Sequence, residues 1–250
     1  MKIGVFDSGV GGITVLKDSL RELPNQDYIY YADIANVPYG TKPKEEVKRY
    51  VFEAVEFIAE KEVNALVIAC NTATSIAIAD LRKVFEFPII GMEPAVKPAV
   101  EKNRTKKVLV TATPLTLKEK KFQDLVSKIG SEDIIEPLPL PKLVEFAENF
   151  IFDEQTVLSH LREKFSTYNL NQYSSVVLGC THFIFYKDLF RKIIPESVNI
   201  IDGNVGTVNQ LKKKLKESKG KLGNGEIVFY SSEKRDEDNK TLRKYIEILE

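Results

Sequence analysis

Along the chain, short runs of β-branched and aliphatic residues alternate with longer stretches in which apolar residues return every three or four positions. The short runs predict strands at residues 3–6, 28–32, 65–69, 89–90, 108–111, 176–178, 200–201 and 227–230. The longer stretches predict helices at 13–22, 44–61, 74–84, 117–129 and 156–165. Over 44–61 the period is plain, since Val47, Val51, Ala54, Val55 and Ile58 fall on one face. The strands lack polar alternation, as expected where helices cover both faces of a parallel sheet. Strand–helix alternation of this kind predicts an α/β fold.

The pattern also repeats. Lys2-Ile-Gly-Val-Phe-Asp-Ser8 has a counterpart in Lys107-Val-Leu-Val-Thr-Ala-Thr113. Asn64-Ala-Leu-Val-Ile-Ala-Cys70-Asn-Thr72 parallels Ser174-Ser-Val-Val-Leu-Gly-Cys180-Thr-His182, and Pro88-Ile-Ile-Gly-Met92 parallels Asn199-Ile-Ile-Asp-Gly203. The spacing agrees: Ile3 to Cys70 is 67 residues and Val108 to Cys180 is 72. Two pseudo-symmetric α/β lobes follow, each a mostly parallel sheet flanked by helices, with a cleft between them. We expect the first lobe at residues 1–97 plus a returning segment at 208–250, and the second at 98–207.

Length and composition fit this picture. The chain has 250 residues, 43% of them apolar and 29% charged, enough for two ordinary lobes. Thirty-six basic residues balance thirty-six acidic ones, so no global field points to nucleic acid or a membrane surface. No apolar run approaches the roughly 20 residues of a membrane span. The opening residues place Asp7 and then glycines where a signal peptide would run apolar, which predicts a cytoplasmic protein with free thiols. Lysines 212, 213, 214, 216, 219 and 221 form a basic run that reads as a solvated helix face and loop.

Cys70 and Cys180, the only two cysteines, each stand just past the carboxyl end of an apolar strand. Open α/β sheets bind ligands at that edge. Either cysteine alone reads as a small buried filler. As a pair they differ, because Asn71-Thr72-Ala73-Thr74 follows one and Thr181-His182 the other, and a filler needs no polar neighbours of that kind. A thiol is a weak base until a cation, a helix N-terminus or an adjacent base activates it, and His182 is placed to help Cys180. His160 falls inside a helical pattern and reads as a surface or packing residue. The cysteines are 110 residues apart with no Cys-x-x-Cys spacing, so a zinc site is not expected. Asp7-Ser8-Gly9-Val10-Gly11-Gly12 closes the first strand without fitting a phosphate-binding motif. Asp7 would repel phosphate and suit an ammonium group or a proton. Asp33 and Glu145 taken singly read as caps or surface charges, and Gly40 in Val37-Pro-Tyr-Gly allows close backbone approach.

Taken together these residues resemble the glutamate racemases of the aspartate/glutamate racemase superfamily. Asp7-Ser-Gly-Val-Gly-Gly12, Tyr31-Ala-Asp33, Val37-Pro-Tyr-Gly40, Ala69-Cys-Asn-Thr-Ala73 and Leu178-Gly-Cys-Thr-His182 occur in the family's order, from residue 7 to residue 182. Ile184 stands where the family often has proline, and Leu138-Pro-Leu-Pro-Lys-Leu-Val144 matches the family pattern only in part. The resemblance implies L/D-glutamate interconversion without pyridoxal phosphate, metal or other cofactor, for cell-wall peptidoglycan, by a cytoplasmic homodimer. It implies Cys180 and Cys70 as opposed acid and base, Asp7 assisting Cys70, His182 assisting Cys180 and Glu145 nearby. Asp7, Ser8, Tyr39, Gly40, Asn71, Thr72, Thr181 and His182 would form the substrate shell. The alternatives are a racemase for aspartate or another amino acid and, in another class, a two-lobed amino-acid-binding protein.

Overall fold

The apolar runs become strands of two sheets in the computed structural model, which describes residues 1–217 and 221–250. The first sheet contains β1 (Lys2–Asp7), β2 (Asp27–Ala32), β3 (Ala65–Ile68) and β4 (Ile89–Gly91), in the spatial order 2-1-3-4. The second contains β5 (Lys107–Ala112), β6 (Ile135–Pro139), β7 (Tyr173–Leu178) and β8 (Asn199–Asp202), in the order 6-5-7-8. All these neighbours are parallel. Matching β1 to β5, β2 to β6, β3 to β7 and β4 to β8 makes the two orders the same, and the sequence repeat falls on three of those four pairs. The first sheet goes further. β9 (Ile227–Ser231) pairs parallel to β2, and β10 (Lys234–Arg235) pairs antiparallel to β9.

Helices cover both faces of each sheet, which is why the strands read as unbroken apolar runs. α1 (Ile13–Glu22), α10 (Asn204–Lys216) and α11 (Lys240–Ile248) enclose one apolar cluster on the first sheet, with Ile13, Leu16, Leu211 and Leu242 buried against Val5 and Val67. α2 (Lys44–Ala59) and α3 (Asn71–Val84) cover the other face. On the second sheet, α7 (Pro141–Glu148), α8 (Glu154–Phe165) and α9 (Lys187–Ile193) lie on one side, and α4 (Val96–Lys102) and α6 (Lys120–Ile129) on the other. Each fully buried aliphatic side chain contributes about 1.5–3 kcal/mol relative to exposure.

Several elements differ from the pattern-based reading. The helix expected over 117–129 is two, α5 (Pro114–Lys118) and α6, broken where Glu119 turns extended at ψ 140° and meets Lys44 at 2.6 Å. α3 starts at Asn71 rather than at 74, because the Cys70 sulfur caps it. β6 was not expected, since Pro137 and Pro139 interrupt its run, but it lies at the sheet edge, where proline is tolerated. The lobe boundaries expected at 97/98 and 207/208 fall inside α4 and α10. α4 packs on β5 and β7, and α10 on α1, β3 and β4. The basic run lies partly on α10, where Lys212 pairs with Glu22 and Lys214 with Glu217 while Lys213 and Lys216 are exposed. Lys219 lies outside the described residues. Among the described residues, no helix is long and apolar enough to cross a membrane.

Candidate active site

Cys70 sits where β3 ends and α3 begins. The Ala73 N–H donates to its sulfur at 3.4 Å, and its own thiol reaches Ser8 Oγ at 3.5 Å. Asp7, the last residue of the adjacent β1, is wholly buried. It accepts from the Gly9 N–H (3.0 Å), the Ser8 hydroxyl (3.4 Å) and the Thr181 hydroxyl (3.0 Å). Burial penalises its charged form and moves its pKa up to about 6, against the opposing pull of His182 and these hydrogen bonds. Burial, then the Asp7 charge, pushes the Cys70 thiol up to about 12, and Cys180 adds to the rise. The start of α3 favours a thiolate, but here desolvation outweighs it.

In the second half, Cys180 stands two residues beyond β7 at the start of a 3-10 turn, Thr181–Tyr186. Its sulfur is 3.7 Å from His182 Nδ1. The other ring nitrogen, Nε2, lies 2.5 Å from Glu148 Oε1 at the end of α7, and that carboxylate also accepts the Val10 N–H at 2.9 Å. Burial works against a charged His182, but contact with Cys180 and Glu148 outweighs it and holds the imidazolium well above its usual pKa.

The two halves meet through very small residues. A Cβ on Gly9 would lie 1.8 Å from Glu148 Oε1, and one on Gly11 would lie 2.3 Å from Thr181 Oγ1 and 2.4 Å from His182 Nδ1. Gly40 packs in the same way on Thr113. Thr72 closes a triangle with Thr113 (2.9 Å) and Thr116 (3.1 Å), themselves 2.9 Å apart. One string of contacts therefore runs Cys70–Ser8–Asp7–Thr181, and the residues on either side of Thr181 are Cys180 and His182. Tyr39 donates to Asp33 at 2.6 Å, and Asn36 and Ser232 hold the same carboxylate. Both polar atoms of the buried Asn71 amide lack a hydrogen-bond partner among the described residues.

The structure thus gathers Asp7, Ser8, Tyr39, Gly40, Asn71, Thr72, Thr181, His182 and both cysteines around the facing strand ends. It does not bring Glu145 there. That side chain is nearly half exposed and pairs with Lys142 at 2.7 Å, while Glu148, three residues on, points inward. Helical phase separates them: Glu148 follows buried Val144 by four residues, whereas Glu145 follows half-exposed Pro141 by four. Thr113 and Thr116 also escaped the sequence reading, although Thr113 is the repeat counterpart of Ser8. Asp33 is neither cap nor surface charge but the buried support of Tyr39. His160 is a packing residue, its ring edge-on to Phe146 at 5.6 Å. Among the described residues, no group of three or more His, Cys, Asp or Glu side chains could hold a metal ion.

A family model described as Asp/Glu/hydantoin racemase matches residues 8–211. A glutamate racemase of Halothermothrix orenii is 60% identical over 252 residues, covering 100% of this chain and 99% of that protein. Glutamate racemase 2 of Bacillus subtilis is 53% identical, with 100% and 96% covered. Among solved structures, Escherichia coli glutamate racemase in complex with L-glutamate and the activator UDP-MurNAc-Ala matches with TM-score 0.85 at 27% identity, covering 98% and 94%. The Campylobacter jejuni glutamate racemase matches with TM-score 0.83 at 31% identity, covering all of both chains.

Proposed function

The chain belongs to the Asp/Glu/hydantoin racemase family, and we propose that it interconverts L- and D-glutamate by a two-base mechanism with Cys180 and Cys70 on opposite faces of the substrate. The observation that carries this reading is a thiol at each of two matching strand ends, joined by one buried polar string, with opposite helpers beside them. Racemisation needs a base on one face of Cα and an acid on the other. A Cys180 thiolate, stabilised by the His182 imidazolium, takes the Cα proton of L-glutamate. The electron pair left on carbon spreads into the substrate carboxylate, and the Cys70 S–H delivers its proton to the opposite face. D-glutamate leaves with Cys70 as thiolate and Cys180 as thiol, and the reverse reaction exchanges the roles.

Ser8, Tyr39, Gly40, Asn71, Thr72 and Thr181 form the substrate shell in this reading. The unpartnered Asn71 amide supports it, since a buried polar group without a partner costs about 1–3 kcal/mol. Fixed hydroxyl and amide donors in a dry cleft stabilise the charge developing on the carboxylate. The full-length similarity to proteins named glutamate racemase supports the choice of substrate. Neither pyridoxal phosphate nor metal is required, and the product serves peptidoglycan synthesis in the cytoplasm. A homodimer rests on the family resemblance, and sedimentation tests it. Circular dichroism of the purified protein decides the main reading. We expect the signal of L-glutamate to decay to zero after EDTA treatment with no cofactor added, and that of L-aspartate to persist. Decay of aspartate alone, or activity abolished by EDTA and restored by zinc, overturns it.

A further inference from the structure

Tyr245 lies on α11, part of the C-terminal segment that packs on the first sheet, yet its hydroxyl reaches the second half. It donates to the carbonyl oxygens of Ala147 at 2.8 Å and Glu148 at 3.3 Å, the last two residues of α7. A helix end leaves carbonyls without partners inside the helix. Here the Phe150 and Ile151 N–H groups close on the Ala147 and Phe146 carbonyls at 3.0 and 2.8 Å, with no glycine at the turn. The Tyr245 hydroxyl adds a tie from outside. The chain turns through Phe150, whose φ of 57° is a left-handed conformation that a bulky residue adopts only under constraint. α11 supplies that constraint. Phe150 and Phe152 pack edge-on to the Tyr245 ring, with centroids 5.3 and 6.1 Å away, and Phe185 lies at 5.6 Å. The Lys244 ammonium sits over the Phe150 ring at 3.5 Å. Burial, then the Glu148 charge, keeps the Tyr245 hydroxyl protonated, so it remains a donor.

Glu148 is held from both ends. Its carboxylate spans His182 Nε2 and the Val10 N–H, while its main chain ends the helix that Tyr245 caps. We propose that Tyr245 is a positioning residue for the Cys180 side of the reaction: its hydroxyl fixes the end of α7 so that Glu148 meets His182 and His182 meets Cys180. The proposal rests on the two-base reading above. Neither Cys70 nor its neighbours Ser8 and Asp7 bond to Tyr245 or to the end of α7. The segment that completes the first sheet therefore tunes the thiol of the second.

The test uses the fact that enantiomers have equal free energy, so kcat/KM is the same in both directions for every variant. A rate cannot reveal which thiol is impaired, but isotope effects can. Tyr245→Phe keeps the aromatic cluster and removes one oxygen. It should lower kcat/KM about fivefold, the size expected for one lost buried hydrogen bond. The primary deuterium effect on kcat/KM should rise for one substrate enantiomer, L-glutamate, and shrink for the other. Glu148→Gln should shift the pair in the same sense, and adding Tyr245→Phe to it should cost less than in wild type, because both act along one path. The matched control is Tyr28→Phe, which removes a buried hydroxyl bonded to the Ser19 and Leu23 carbonyls at the end of α1. It should lower the melting temperature without moving either isotope effect. Unchanged isotope effects in Tyr245→Phe, a parallel change for both enantiomers, or full additivity with Glu148→Gln overturns the proposal. If the wild type racemises glutamate and one of these results is found, only this inference fails. If the wild type does not racemise glutamate, the function reading fails with it.

Discussion

Cys70 and Cys180 follow matching strands of matching sheets, β3 and β7, but the groups around them carry opposite charge. Beside Cys70 stand a buried carboxyl, a serine hydroxyl and the first turn of a long helix. Beside Cys180 stand an imidazolium and the carboxylate that orients it, with only a 3-10 turn behind. An anionic neighbour favours the neutral thiol and a cationic one the thiolate. Pseudo-symmetry therefore placed the sulfurs, and the departures from it set unlike groups beside them, a carboxyl at one and an imidazolium at the other. An exact repeat would set the same groups beside both sulfurs.

The largest consequence is for the thiols themselves. Cys70→Ala and Cys180→Ala should each lower racemisation by about 10⁴-fold, the upper range for losing a general acid or base, and both should remain folded. In deuterated water the Cys70 variant should exchange the Cα hydrogen of L-glutamate without inversion, and the Cys180 variant that of D-glutamate. NMR of recovered substrate reads this, and exchange of one enantiomer by both variants would show that neither sulfur belongs to one face. Next comes the orienting carboxylate. Glu148→Gln should cost about 10³-fold in kcat/KM, or about 4 kcal/mol, while Glu145→Gln, which breaks only an exposed pair with Lys142, should stay near wild type. A larger loss at Glu145 would reverse the assignment.

The smallest effect concerns Asp7 and is read as stability. A carboxyl held at about 6 instead of 3.8 costs its ionised form about 3 kcal/mol. The unfolded chain releases that proton first, so this group makes the fold less stable as pH rises from about 4 to about 6 and keeps the full penalty above that. Asp7→Asn should therefore be more stable than wild type at pH 7 by up to about 3 kcal/mol, with the gain nearly gone at pH 4. Urea titrations at the two pH values test this, and an equal gain at both would show that Asp7 carries no charge penalty. The sign is opposite for His182. Its raised pKa contributes stability that is complete below the usual histidine range and is lost as pH climbs through the folded-state value.

The sequence made the strands of the inner sheets readable because both faces are buried, and it made the cysteines readable because the repeat aligned them. It hid β6 because Pro137 and Pro139 break the strand signal at a position where an edge strand tolerates them. It misplaced the second carboxylate because Glu145 and Glu148 lie less than one helical turn apart, and only the burial of Val144 and Ala147 says which faces inward. Gly9 and Gly11 read only as a glycine-rich turn closing the first strand, without a phosphate-binding motif. Their purpose is closeness to Glu148 and His182, a relation across more than 130 residues that no local pattern contains.

The pairing of β9 with β2 has a consequence for how the molecule is made. Tyr28 to Ala32 take Ile227 to Ser231 as neighbours, so the edge of the first sheet stays unfinished until the 195 residues from Ala32 to Ile227 have been added. At about 5–20 residues per second, the wait from β2 to β9 lasts roughly 10–40 s. During it, a strand of three tyrosines and an isoleucine offers its unpaired amides to whatever is near. The second sheet, encoded between, can finish first. The order of completion thus inverts the order of the halves, and the nascent chain is most open to wrong partners in the one translated before the other.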